Sequence, residues 1–70
     1  MTSINIAASL KQLREERNLS QPELAHISNV DRSLIANIET GRKIPSLAIS
    51  VQLADALLVT LDTLVGRKVG

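Results

Sequence analysis

Ser20-Gln21-Pro22-Glu23-Leu24-Ala25-His26-Ile27-Ser28-Asn29-Val30-Asp31-Arg32-Ser33-Leu34-Ile35-Ala36-Asn37-Ile38-Glu39-Thr40-Gly41-Arg42-Lys43 is the stretch that decides how this chain folds. Ser20 and Glu23 stand in the S-x-x-E spacing of a capping box, and Leu19 with Leu24 occupies the two positions of a hydrophobic staple. Pro22 falls in the first turn, where the missing N–H costs nothing. These signals predict a helix from Gln21 to about Ser28, ended by Asn29, which tolerates a left-handed backbone. A second helix follows almost at once. Asp31 is its expected N-cap, with the side-chain oxygen taken up by backbone N–H groups, and Val30 with Ile35 repeats the staple. Ile35 and Ile38 are expected to face the core, which turns Arg32, Ser33, Leu34, Ala36 and Asn37 outward. Gly41 ends the helix, and Arg42, Lys43 and Pro45 make a short basic connection.

The flanks read the same way. Ile6, Leu10 and Leu13, with Arg17 further along, recur at the spacing of one helix face, which predicts a first helix over about Asn5 to Arg17 stopped by Asn18. Ser46 caps a fourth helix running to about Leu57, with Leu47, Val51, Leu53, Ala54 and Leu57 as expected core residues. Thr60 caps a short fifth helix, and Val59 with Leu64 forms a third staple. Leu61, Leu64 and Val65 are more apolar side chains than one turn needs for its own packing, so they are the expected subunit interface.

Composition bounds the rest. Seventy residues are expected to form one domain, residues 1–70, with a modest core. The chain has no cysteine and one histidine, which leaves neither disulfides nor a structural zinc to staple it. It also has no Phe, Tyr or Trp, so the core must be aliphatic and there is no platform on which single-stranded bases can stack. No run approaches the roughly 18 apolar residues of a membrane span, and the first residues lack the pattern of a secretion signal. A cytoplasmic protein is expected. The formal charge is only +1, so any case for nucleic acid must rest on where the charges sit.

The order of these residues resembles the helix-turn-helix of the phage repressor/Cro type. That family reads LSQxELA, a turn, a polar helix ending I-x-x-IExG, a basic loop and PSLxxLxxLAxAL. Leu19-Ser20-Gln21, Glu23-Leu24-Ala25, Ile35, Ile38-Glu39, Gly41, Pro45-Ser46-Leu47 and Leu53-Ala54 all match, so the resemblance covers about Leu10 to Leu64. It implies an all-α, compact five-helix repressor-like domain with a central helix-turn-helix at about residues 20–41. The string Ser28-Asn29-Val30-Asp31-Arg32-Ser33 also resembles controller proteins of restriction-modification systems. There are three departures: Asn29 stands where Gly is common, Leu58 where Gly usually precedes the valine, and Ser28 where Leu is frequent.

Carried over position by position, the resemblance implies that Gln21 touches DNA phosphate and braces a side chain of the recognition helix. It implies that Arg14 and Glu39 pair to tie the first helix to the third, and that Arg42 and Lys43 meet the DNA backbone. Arg32, Ser33 and Asn37 match positions aimed at base edges. Their chemistry suits the role, since arginine can bracket guanine O6 and N7 and asparagine can pair with adenine N6 and N7. Leu34 and Ala36 can at most touch a thymine methyl, and Arg17 can extend the phosphate track or lie beside the core. His26 is expected to be a polar surface residue.

The expected function is a sequence-specific double-stranded DNA-binding transcriptional regulator, most simply a dimeric repressor reading a palindromic site in the major groove. No cofactor or metal is expected. The alternative is a protein-interaction module or antitoxin-type protein that uses Leu34, Leu61 and Val65 against a regulatory partner. An enzyme is not expected, because the chain offers no metal set, no nucleophile–base arrangement and no phosphate-cradling glycine loop.

Overall fold

The computed structural model describes residues 5–66, which form five helices. They are α1 (Ile6–Glu16), α2 (Gln21–Ser28), α3 (Arg32–Glu39), α4 (Leu47–Leu57) and α5 (Leu61–Leu64). No strand occurs among the described residues.

The helix ends follow local side-chain chemistry. Asn5 accepts a hydrogen bond from the Ala8 N–H, Ser20 from Glu23, Ser46 from Ile49 and Thr60 from Thr63, so four of the five helices begin on a capping side chain. At α2 the capping box is complete: Glu23 N–H donates to Ser20 Oγ at 3.1 Å and Ser20 N–H to Glu23 Oε1 at 2.9 Å. The second of these bonds, from the Ser20 N–H to the carboxylate, also holds the exposed Glu23 carboxyl below the usual carboxylate range. Asn29 ends α2 in the left-handed region at φ 56°, and Asn18 turns the chain after α1 at φ 55°.

The N-cap of α3 departs from expectation. Asp31 occupies it, but its side chain makes no capping hydrogen bond. Val30 is buried and its N–H reaches back to Ala25 O at 3.2 Å, so the chain enters α3 immediately after the left-handed Asn29. Asp31 is left with ψ 134°, whereas Ser20, Ser46 and Thr60 have ψ of 166°, 166° and 163°.

One aliphatic cluster joins the helices: Ile6, Leu10, Leu24, Val30, Ile35, Ile38, Leu53, Ala54, Leu57 and Leu64. The second members of all three staples, Leu24, Ile35 and Leu64, are fully buried in it. α1 packs on α3 and α5, α2 on α3 and α4, and α4 on α5. α5 is therefore the latch that closes α1 against α4. Two long-range bonds hold it: Asn5 N–H donates to Val65 O at 2.9 Å and Ser9 Oγ to Thr63 O at 2.9 Å.

This arrangement corrects two expectations. Leu47 and Val51 are not core residues, being 72% and 39% exposed. α4 is apolar nearly all round; it buries Leu53, Ala54 and Leu57 as expected, and Ser50 in place of Leu47 and Val51. Ser50 enters the interior at little cost because its hydroxyl donates to Ser46 O at 2.9 Å. Ser28 does the same on α2, donating to Leu24 O at 2.6 Å. Conversely, Leu64 is fully buried and Val65 packs against the core, so within α5 and its cap only Leu61 offers appreciable apolar surface. Leu58 sits at φ 58°, a left-handed position where a side chain is strained.

Candidate nucleic-acid interface

α3 is amphipathic in a simple way. Ile35 and Ile38 are fully buried, while Arg32 and Ser33 at its leading end are exposed. Ala36 and Asn37 are half-buried along its flank. Leu34, expected to point outward, packs in part against the core, which leaves only some of its surface for a partner.

The far end of α3 is locked by an ion-pair network. Arg14 reaches from α1 to Glu39 with both arms of its guanidinium, Nε to Oε2 at 2.7 Å and Nη2 to Oε1 at 3.0 Å, and gives Nη1 to Leu19 O at 2.8 Å. Gln21 Nε2 adds a third donor to Glu39 Oε1 at 3.2 Å. The two charged side chains are 12% and 4% exposed, so the bridge is mostly shielded from water. Burial works to raise the Glu39 carboxyl, but the hydrogen bonds from Arg14 and Gln21 and the charges of Arg14 and Lys11 outweigh it and hold it below the usual range. The Arg14 guanidinium is raised in turn, chiefly by its hydrogen bond to Glu39 and against the opposing effect of burial. The bridge fixes how α1, the start of α2 and the end of α3 meet, whatever its net contribution to stability.

The basic loop is tied to the same helix. The Asn37 carbonyl accepts from Thr40 Oγ1 at 3.2 Å, Arg42 N–H at 2.9 Å and Lys43 N–H at 3.2 Å. Gly41 makes this return possible with φ 79°; a Cβ there would meet open space, so the backbone angle and not crowding calls for glycine. Arg42 and Lys43 stay exposed beside the last turn of α3. Arg17 is exposed at the end of α1 and folds back, donating Nη1 to Leu13 O at 3.3 Å. His26 lies exposed on the last turn of α2.

Two contributors were absent from the sequence reading. Thr40 helps clamp the loop to Asn37. Gln52 reaches from α4 to the end of α2, with Nε2 3.3 Å from Ser28 O and 3.4 Å from Asn29 O, and so braces the turn that aims α3. No local signal could have pointed to Gln52, because its partners lie 24 and 23 residues away. Among the described residues, no group of His, Cys, Asp and Glu side chains is arranged to hold a metal ion. No helix there is long and apolar enough to cross a membrane.

Two adjacent short helices, a tight left-handed turn between them, and a polar outer face on the second followed by a basic loop define an all-helical DNA-binding module. The family profile described as helix-turn-helix matches residues 10–64, and the chain belongs to that family. It is 35% identical over 65 residues to the immunity repressor protein of Bacillus phage phi105, an alignment that takes in 93% of this chain and 45% of that protein. The chain thus spans less than half the length of this curated relative. Among solved structures it is similar to the restriction-modification controller protein C.AhdI from Aeromonas hydrophila, with TM-score 0.82, 34% identity, and coverage of 87% of this chain and 92% of the other. A transcriptional regulator from Vibrio cholerae also superposes with TM-score 0.82, at 30% identity over 86% of this chain and 34% of that one. The family is one of DNA-binding regulators and not of enzymes.

Proposed function

We propose that this chain is a sequence-specific transcriptional repressor that binds double-stranded DNA in the cytoplasm as a dimer. The observation that carries the reading is the α3 face. A helix locked from below by Arg14, Glu39 and Gln21 presents Arg32 and Ser33 at its leading end and holds Arg42 and Lys43 beside its last turn. The major groove is wide enough for such a helix. Arg32, Ser33 and Asn37 contact base edges in this reading, with Ala36 and the exposed part of Leu34 against thymine methyls. Arg42, Lys43, Gln21 and Arg17 contact phosphates and set the register. Gln21 can do so only through atoms left over from its bond to Glu39.

Dimerisation is supported by apolar surface that the single chain leaves uncovered. Ile44, Leu47, Val51, Leu58 and Leu61 are 88%, 72%, 39%, 88% and 37% exposed and belong to α4, its two ends and α5. This surface, and not Leu64 or Val65, is where a second copy binds. Two recognition helices related by a two-fold axis read half-sites about 34–36 Å apart, which makes the operator a palindrome.

Selection from a random duplex library, followed by footprinting, tests the function. A two-fold-symmetric enriched motif is the expected result. Absence of any enrichment at low salt overturns the DNA reading and leaves a protein-binding module.

A further inference from the structure

We infer that Asp31 is a specificity-determining residue whose carboxylate accepts a hydrogen bond from the exocyclic amino group of a base, cytosine N4 first, in the major groove. The inference rests on the DNA-reading function proposed above and names a residue that a capping role would have removed from consideration.

Asp31 immediately precedes Arg32 at the leading end of α3 and is exposed. Four other helices begin on a polar side chain, and each of those side chains accepts a backbone N–H. Asp31 alone does not. Among the described residues no hydrogen bond or ion pair engages its carboxylate. The contrast with the neighbouring acids is sharp: Glu39 is bonded to Arg14 and Gln21, and Glu23 closes the capping box of α2. Asp31 is thus an exposed carboxylate with no partner in the described residues, next in sequence to the exposed Arg32.

A carboxylate there has two possible effects on DNA. Against phosphate it repels, which weakens binding to every sequence alike. Against a base edge it discriminates, because an ionised carboxylate only accepts. Cytosine and adenine offer an amino donor in the major groove, whereas guanine presents O6 and N7 and thymine O4, all acceptors. Beside Arg32, which only donates, Asp31 completes a pair of opposite hydrogen-bond polarity at consecutive positions. The pair rewards a guanine-type edge next to an amino-bearing one and penalises the reverse. Repulsion from random sequence and attraction to one amino group act together to widen the specificity ratio.

The test uses the full chain and its Asp31→Asn and Asp31→Ala variants, each put through duplex selection and then titrated on the enriched site, its single-base variants and a random duplex. At one base pair Asp31→Ala loses preference by about 5- to 150-fold, the range of one good base contact. Its affinity for random duplex rises, since a repelling charge has gone. Asp31→Asn, which can both donate and accept, admits guanine or thymine at that position. Thermal unfolding separates this from a structural role. Ser20→Ala lowers Tm by about 4–8 °C through loss of a cap, whereas Asp31→Ala, which would cost as much if Asp31 were a cap, changes Tm far less. If the native chain enriches a motif and both variants keep every preference, or lose affinity equally on all duplexes, the Asp31 assignment is overturned while the DNA-reading function stands. If the native chain enriches nothing, both are overturned.

Discussion

The α2–α3 half and the α4–α5 half of this molecule both mark their helix starts in the sequence, yet the pattern picks out the buried isoleucines of α3 and only three of the five core residues expected in α4. In α3, Ile35 and Ile38 are the apolar residues at core spacing on a helix otherwise rich in polar groups, and both are fully buried. In α4 the apolar residues make two overlapping stripes, one through Leu47, Val51 and Ala54 and one through Ser50, Leu53, Ala54 and Leu57. The second is the buried one, although it contains a serine. Local chemistry sets where a helix begins, because the cap and the first N–H groups lie within a few residues of each other. Which face turns inward depends on the neighbours. When a helix is apolar all round, its own period cannot choose.

The comparison can be broken at α5. Leu64→Ala should cost about 3 kcal/mol, as for a fully buried leucine, and Leu47→Ala less than about 0.5 kcal/mol in dilute chain. Denaturant titration of the two variants measures both, and equal costs would mean that α4 packs through its other stripe. The same Leu47→Ala chain should dimerise more weakly in sedimentation, which ties the exposed stripe to the proposed second copy.

A smaller effect probes the network beneath α3. Glu39→Gln should lower stability by about 2 kcal/mol at neutral pH, since it removes a charge-assisted partner from Arg14. Because the folded Glu39 carboxyl is held below its unfolded value, its contribution is complete above about pH 4.3 and is lost as pH falls through the lower folded value. The Tm difference between native chain and variant should therefore be largest near neutrality and shrink in acid. A constant difference from pH 7 to pH 3 would remove Glu39 as the source.

The smallest expected effect is a gain. Leu58 is 88% exposed and left-handed, so Leu58→Gly gives up little packing and relieves backbone strain. It should raise stability by about 1 kcal/mol, offset in part by the greater freedom of glycine in the unfolded chain. If Leu58 also belongs to the dimer surface, the variant gains monomer stability and loses self-association in the same experiment.

Much of the site was legible for reasons of distance along the chain. Ser20, Glu23, Asn29 and Gly41 act on groups within four residues of themselves, and Arg32 and Ser33 stand outward once Ile35 faces inward. The Arg14–Glu39 bridge was read only through resemblance, because nothing in residue spacing brings positions 14 and 39 together. Gln52 escaped notice for the same reason. Asp31 holds the N-cap position that its type predicts, but whether its side chain makes the capping bond is not written in residue type or spacing.

By itself, then, the sequence determined five helices, most of their ends, and the polar outer face of α3, since caps, staples and periodicity act over one or two turns. The tertiary structure decided which stripe of α4 is buried, that α5 buries Leu64 and latches α1 to α4, that Gln52 steadies the turn, and that the Asp31 carboxylate makes no capping bond. Those outcomes depend on side chains far apart in the chain competing for the same few core positions. Residue type and spacing do not carry that competition.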